Sequence, residues 1–459
     1  MKKPLKWGLT PFLFFALTAM AAPPTAVSTF HSIGLYWSPE GGAESNAAQV
    51  RYREPGGEWK KGLDLWFDAR NNEYRGSLLE LKPGTAYEIT LSLSSGVQEI
   101  IKAQTWNEKF PVKRRVEVPA GTTRLVIEAK DSGDEKDGYV VFTGHSPIEG
   151  NDAAESCVAI RQGVHHVILR GLVLKNCKRY GVMLERQFEP VLDAQTHDIV
   201  IEDNDISGWG GFENNQKGKG LADTDGAIQC GYRRETDDAK RPDRIIIQRN
   251  RIHSPRHSAN PWESRARGRL HPEGPQAVNF DRCGSNHVIR YNEIASKNGN
   301  HFDDGIGGGD NFSAAGFPWA DSDIYGNKIS DAYDDGIEAE GGNRNVRIWD
   351  NTLERVYVAI ANAATTTGPL YVWRNSARNM GGMYQPEAGG RSPRGPFIKG
   401  GSNQPQANGG RAYYFDNSAP DAGAGLARSG GRFYNFVARN NNWPPSRVNR
   451  ADGPFEIDR

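Results

Sequence analysis

The chain is expected to fold as an all-β protein, an N-terminal antiparallel sandwich followed by a right-handed parallel β-helix. Three observations predict this: a recurrent strand-plus-asparagine phrase, a composition rich in turn formers, and a first hundred residues that alternate with period two. The phrase is an apolar residue followed three positions later by Asn, usually with another apolar residue two beyond. It occurs seven times, with asparagines at Asn204, Asn250, Asn292, Asn327, Asn351, Asn375 and Asn417, at intervals of 46, 42, 35, 24, 24 and 42 residues. A short strand returning at a minimum of 24 residues is one rung of a solenoid, because each rung buries its apolar side only by stacking. That period is too short for a strand–helix pair with turns, and the Asn, Asp and Gly around each strand oppose helix. Asn at a fixed turn position tolerates a left-handed backbone and can hydrogen-bond its stacked neighbour, so an internal ladder is expected. Ile168-Leu169-Arg170-Gly171-Leu172-Val173 reads as an earlier copy with Gly171 in the Asn slot. The longer intervals are the same rung with inserted loops.

The 459 residues include 53 Gly and 26 Pro with 37% hydrophobic residues, natural for a turn-rich solenoid. Basic and acidic residues are equal at 56 each, so no global charge favours nucleic acid or an anionic membrane. Residues 1–22 carry Lys2, Lys3 and Lys6, an apolar stretch around Phe12 to Met20, and a small-x-small signal at Ala19-Met20-Ala21. This is expected to be a secretory signal peptide, and the destination secreted or periplasmic. Without its three lysines the balance is 53 basic to 56 acidic residues, a charge near −3. No other stretch is apolar enough to span a bilayer. The four cysteines, Cys157, Cys177, Cys230 and Cys283, lack zinc-site spacing and allow three full pairings. Buried thiols or one staple between early rungs is the expectation.

Residues 23–106 alternate in period two, as in Ile33-Gly34-Leu35-Tyr36-Trp37 and Tyr87-Glu88-Ile89-Thr90-Leu91, with turn-forming clusters between the runs. With Trp37 on the second strand, and Leu79-Glu80-Leu81-Lys82-Pro83-Gly84-Thr85-Ala86-Tyr87 as the approach to a tyrosine corner, this segment resembles a fibronectin type III domain. That resemblance implies a spacer or docking module and no catalysis. The β-helix is expected over 111–445, entered through Arg115-Val116-Glu117-Val118, with 446–459 as a tail.

The whole resembles the pectate-lyase-like superfamily of polysaccharide lyases, glycoside hydrolases, uronan epimerases, depolymerases and adhesins. The resemblance implies a lateral groove that holds an extended sugar chain. Three versions of one phrase carry the chemistry: Thr224-Asp225-Gly226-Ala227-Ile228-Gln229, Phe302-Asp303-Asp304-Gly305-Ile306-Gly307 and Tyr333-Asp334-Asp335-Gly336-Ile337-Glu338. The last two are 31 residues apart and are expected on adjacent rungs, placing Asp304 within roughly 5 Å of Asp335, and Asp303 within the same distance of Asp334. Carboxylates so close must share protons or be neutralised by a cation such as Ca²⁺, with Asp303 and Asp334 as its ligands.

With Ile306 and Ile337 inward, the outward positions are Gly307 and Gly309 on one rung and Glu338 and Glu340 on the next. Alternation puts the two glutamates about 6.6 Å apart, near the separation that admits a water in an inverting glycosidase. Hydrolysis needs one protonated carboxyl for the leaving oxygen and one ionised to activate water. Glu338 is the foremost catalytic candidate, with Glu340, Asp304 and Asp335 competing for the second role.

Asp225 with Asp303 and Asp304 resembles the carboxylates of polygalacturonase-type hydrolases, although that family's Gly-His-Gly and Arg-Ile-Lys signatures are not evident. The Asp-Asp-Gly-Ile phrase also resembles the calcium-binding aspartates of a pectate lyase group. There a Lys serves as base where this chain has Glu338, which favours hydrolysis and leaves His301 and Lys399 as alternative lyase bases. Substrate contacts are expected from Asp225, from His301, from Trp262, Arg265 and Arg267 in the basic insertion 253–275, and from Trp319 in the insertion 310–321. Arginines there suit carboxylate or sulfate groups on an acidic polysaccharide. Tyr325, Trp349 and Trp373 form an outward aromatic row, expected to pack on itself in preference to binding sugar. The partner is thus a polysaccharide, with hydrolysis expected first, a uronan lyase or C5-epimerase second, and non-catalytic glycan binding third.

Overall fold

The structure is a computed structural model that describes residues 22–184, 194–211, 225–231, 240–262, 271–311, 313–363, 366–384, 393–401, 409–429, 432–433, 435–448 and 455–457. Residues 1–21 of the expected signal peptide 1–22, together with Arg265 and Arg267, therefore lie outside the described residues. Among the described residues all regular structure is strand apart from one 3-10 turn at Ala129–Asp131. Among the described residues no helix is long and apolar enough to cross a membrane.

The period-two segment forms two four-stranded antiparallel sheets. One runs in the order Ala22–Ser28, Ile33–Ser38, Glu73–Leu78, Trp66–Asp68, and the other Lys60–Lys61, Ala48–Arg53, Ala86–Leu93, Gln98–Gln104. Alternate residues such as Ile33, Leu35, Trp37, Val50, Ile89 and Leu91 meet between them as one core. The Tyr87 hydroxyl accepts a hydrogen bond from the Lys82 N–H at 2.9 Å, which ties the approach loop to its strand.

From Val112 onward the strands are parallel and stack in three columns of coils, a parallel β-helix. The first face is a twelve-stranded sheet from Val112–Glu117 to Phe455–Ile457, so the stack extends past residue 445 into the segment expected to be a tail. The second face consists of short strands such as Asp205–Ser207 and Arg251–His253, and the third of strands such as Gly226–Gly231, Gln276–Asp281 and Pro396–Gly400. Lys328–Glu338 and Thr352–Ala361 continue from the second face into the third. Apolar side chains at equal phase fill the interior, as in the column Ile228, Val278, Ile306, Ile337, Ile360 and Ile398.

The asparagine ladder forms between the first and second faces. Each side-chain amide donates to the carbonyl of the next, Asn204 to Asn250 at 2.9 Å, Asn292 to Asn327 at 2.9 Å, Asn327 to Asn351 at 3.0 Å, and on to Asn441 as an eighth member. The left-handed conformation falls on the residue before each ladder Asn: Asp203, Arg249, Tyr291, Gly326, Asp350, Arg374 and Asp416, with φ between 51° and 66°. The early copy shifts accordingly. Leu169 pairs with Ile201, so Gly171 (φ 67°) holds the left-handed position and Leu172 the ladder slot, where its N–H donates to Asn204. The cysteines form two disulfides, Cys157–Cys177 and Cys230–Cys283, where at most one was expected.

The outer side of the first face is covered. Val141, Ile168, Val200, Ile246 and Val288 form an outward apolar column that meets Phe30 and, at its edge, Leu79, Trp106 and Phe110. Tyr325, Trp349 and Trp373 stack on one another at 4.0 and 4.8 Å and belong to the same cluster, so the row joins the two units. Fully buried Arg347 donates to Asp323 at 2.5 Å, and Thr29 from the sandwich donates to the other oxygen of Asp323 at 2.5 Å. Tyr36 adds a 2.7 Å bond to Asp321.

Candidate active site

The carboxylates collect on the third face because its strands begin with the Asp-Asp-Gly phrase in adjacent coils. The Asp334 N–H donates to the Asp303 carbonyl at 3.0 Å, and the Asp335 N–H to the Asp304 side chain at 2.9 Å, so like aspartates stack. Gln276, one coil earlier, donates to the other Asp304 oxygen at 3.0 Å. Burial of the flanking glycines explains why the phrase requires Gly: a methyl on Gly336 would meet Leu353 at 2.3 Å, and one on Gly305 would meet Ile329 at 2.5 Å.

One outward column of the face reads Gln229, Asn279, Gly307, Glu338, Ala361, Lys399. Small residues flank Glu338 on both sides. A methyl on Gly307 would lie 2.9 Å from Glu338 Oε2 and 3.5 Å from Asp304 Cβ, so the glycine opens the space that Glu338 occupies. Ala361 leaves Lys399 free to reach back across a coil, where its ammonium sits 2.7 Å from Asp335 and 3.2 Å from Glu340. Asn311 donates to Glu338 Oε1 at 2.8 Å.

A second group converges on Asp334 from the insertion before the third-face strand Gln276–Asp281. Trp262 Nε1–H donates to Asp334 Oδ1 at 3.1 Å, and His271 Nε2 lies 3.1 Å from Oδ2. An aromatic wall stands beside it: His301 stacks on Tyr333 at 4.4 Å, and Tyr384 packs against Tyr333 and Tyr357 at 5.3 and 5.5 Å. The Tyr384 hydroxyl also bonds the Trp262 N–H, at 3.2 Å, and the Tyr333 carbonyl, at 2.5 Å, which fixes the insertion to the helix.

Six acids, Asp303, Asp304, Asp334, Asp335, Glu338 and Glu340, are all buried, with two cations near them among the described residues, His271 and Lys399. Burial, together with Asp334, pushes the Asp303 carboxyl well above the usual range. Burial and Glu338 do the same to Asp304, and burial and Asp334 to Asp335 in spite of Lys399. Asp334 runs the other way: burial opposes its charge, but Lys399, His271 and the Trp262 N–H outweigh it and lower the pKa. Burial and Glu340 push Glu338 up to about 7. His271, though burial opposes it, is raised to about 10 by Asp334. Lys399 is likewise raised despite burial, by Asp335 and Asp334 first. The face therefore holds neutral carboxyls, an ionised Asp334 and a group that exchanges protons near neutrality, the inventory of acid–base catalysis.

Oxygen donors for a hard cation are also present. Asp304, Asp334 and Asp335 offer atoms within 4.8 Å of one another, and Asp303 Oδ1 and Asp335 Oδ1 are buried with no hydrogen bond among the described residues. Such a set suits Ca²⁺, which takes carboxylate oxygens.

The other sequence candidates fall elsewhere. Asp225 occupies the same phrase two coils earlier, gripped by Arg179 at 2.6 and 2.9 Å and by the Gly211 N–H at 3.1 Å, which gives it a structural ion pair. The Trp319 ring is covered by the Arg241 guanidinium at 5.1 Å, and Phe317 packs into the core on Phe280. Tyr333, Tyr357 and Tyr384 were not anticipated. The 24-residue offset between Tyr333 and Tyr357, equal to the shortest rung, was the available signal.

No family model matches this chain, and no curated protein sequence matches it. Among solved structures it is similar to the family 28 exopolygalacturonase of Yersinia enterocolitica, at 10% identity over 95% of this chain and 98% of the other, with a TM-score of 0.30. It is also similar to the A-module of the mannuronan C-5 epimerase AlgE4 of Azotobacter vinelandii, at 11% identity over 75% and 88% of the two chains, TM-score 0.32. A third is the pectate lyase Pel3 of Pectobacterium carotovorum, at 10% identity over 95% and 100%, TM-score 0.21.

Proposed function

We propose that this protein is an exported enzyme that cleaves glycosidic bonds in a polysaccharide by carboxylate-catalysed hydrolysis. The observation that carries this reading is Glu338, a carboxyl raised to about 7, standing in the gap left by Gly307 among five further acids. Glu338 donates its proton to the leaving oxygen, and Glu340, held toward the Lys399 ammonium, activates the water. Burial and Glu340 set the protonation of Glu338, with Asp334 adding to the upward shift and Lys399 opposing it. The wall of Tyr333, Tyr357, Tyr384 and Trp262 suits the apolar faces of sugar rings. The sheet order and the Tyr87 corner support a fibronectin type III-like reading of the sandwich.

A lyase or epimerase on a uronic-acid polymer is the second reading, favoured by the unbonded buried oxygens of Asp303 and Asp335. Residues Asp303, Asp304, Asp334 and Asp335 would hold Ca²⁺, which would neutralise a substrate carboxylate. Against a lysine base stands Lys399, whose ammonium is held by two carboxylates. Incubation with a panel of neutral and acidic polysaccharides distinguishes the readings. Hydrolysis yields products heavier by one water and no new ultraviolet absorbance, and the Glu338→Gln variant loses them. An unsaturated product end abolished by chelator would replace hydrolysis with elimination. Glycan binding without turnover, equal in wild type and variant, would make the protein a binding module.

A further inference from the structure

A second cluster of ligating side chains lies on the first face, apart from the carboxylates of the third. The strands His165–Arg170 and His197–Glu202 pair in register with His165 against His197, and their rings stack at 5.0 Å. His165 Nδ1 and His166 Nδ1 lie 3.3 Å apart. Two imidazole nitrogens bound at about 2.0–2.1 Å to one tetrahedral ion would stand roughly 3.3 Å apart. His166, His197 and Asp198 each offer a ligand atom within 4.8 Å of the others.

Asp198 also supplies the support that a metal-binding histidine requires. His197 Nδ1 lies 2.6 Å from Asp198 Oδ2, and Arg244 Nε donates to Asp198 Oδ1 at 2.9 Å. A carboxylate that accepts one ring N–H fixes the tautomer and leaves the opposite nitrogen as ligand. Among the described residues no hydrogen bond involves Nε2 of these three histidines. A cavity of ≈ 250 Å³, lined by Trp106, Phe110, Tyr139 and Arg244 among others, adjoins Asp198 at the junction with the sandwich.

We propose that His166 and His197, with Asp198 oriented behind His197 and His165 beside His166, bind one divalent transition-metal ion of the zinc or nickel class. Imidazole donors select such ions over Ca²⁺ or Mg²⁺. The ion would fasten the two coils that carry the histidines, beside the linker to the sandwich.

The test uses the full chain without a histidine tag, stripped with chelator and titrated with Zn²⁺ by calorimetry, with Co²⁺ absorption to report tetrahedral nitrogen ligation. One ion per chain is expected. His166→Asn and His197→Asn should each weaken binding at least ~10-fold, and Asp198→Asn by roughly 10–100-fold, the usual effect of losing an outer partner. Circular dichroism verifies that each variant is folded, and Glu338→Gln should bind Zn²⁺ like wild type. Absence of saturable binding, binding unchanged in both histidine variants, or binding lost in Glu338→Gln would overturn the proposal.

Discussion

Replacing Glu338 by Gln should remove activity and, at alkaline pH, make the protein more stable. A carboxyl with an ordinary value of 4.5 that is raised to about 7 in the fold binds its proton about 3 kcal/mol more tightly when folded, at ~1.4 kcal/mol per pH unit. Below pH 4.5 both the folded and unfolded chains hold that proton, so the group contributes nothing. As pH rises toward 7, the unfolded chain ionises first, and the folded state loses stability until both forms are ionised. Gln keeps the shape and still accepts the Asn311 hydrogen bond, but has no charge to bury. The variant should match wild type in urea denaturation at pH 4 and exceed it by up to about 3 kcal/mol at pH 8. Turnover should fall by about 10²–10⁴, the usual worth of a general acid. A variant less stable than wild type at both pH values would refute the argument, since Glu338 would then be a structural hydrogen-bond partner.

Lys399→Met leaves buried Asp335 and Glu340 without their cation and should cost ~3–5 kcal/mol at pH 8. The loss should be smaller at pH 5, where the acids are more protonated; an equal loss would mean that packing, not charge, was removed. Asn327→Ala deletes four ladder bonds, to Ile289, to Asn351 and two from Asn292, for about 4 kcal/mol at ~1 kcal/mol each. A melting temperature within a degree or two of wild type would show that the ladder is dispensable. Reduction of the disulfides, which close loops of 20 and 53 residues, should lower stability by ~3 and ~4 kcal/mol respectively. Single Cys-pair-to-Ser variants followed by denaturant unfolding separate the two contributions.

The solenoid was legible because its rungs repeat a chemical requirement. The short amide of Asn both donates and accepts along a stack, so its spacing marked every coil from Asn204 to Asn417. The left-handed position was misplaced by one residue, although Asp203, Gly326, Asp350 and Asp416, all turn formers, stand directly before the asparagines. Stacking of Asp303 on Asp334 and of Asp304 on Asp335 could be worked out from their common phrase. Partners that arrive from other coils could not. Lys399 reaches its acids across an intervening strand, Arg179 claims Asp225 from 46 residues away, and Trp262 meets Asp334 through an insertion. The covered first face had a signal of its own in Ile199-Val200-Ile201 and Ile245-Ile246-Ile247, continuous apolar runs that belong to strands buried on both sides.

Glu338 and Lys399 are separated by the single strand that carries Ala361, so the number of coils acts as a ruler for charge. Two strand spacings amount to about 9.6 Å, and the lysine stem and the acid side chains that meet it together bridge the gap over a residue that has only a methyl. Loss or gain of one 24-residue coil, the length between Asn327 and Asn351, would preserve every backbone bond of the stack. It would nevertheless deliver the ammonium to a different acid, which makes coil counting a route to new chemistry on an unchanged scaffold.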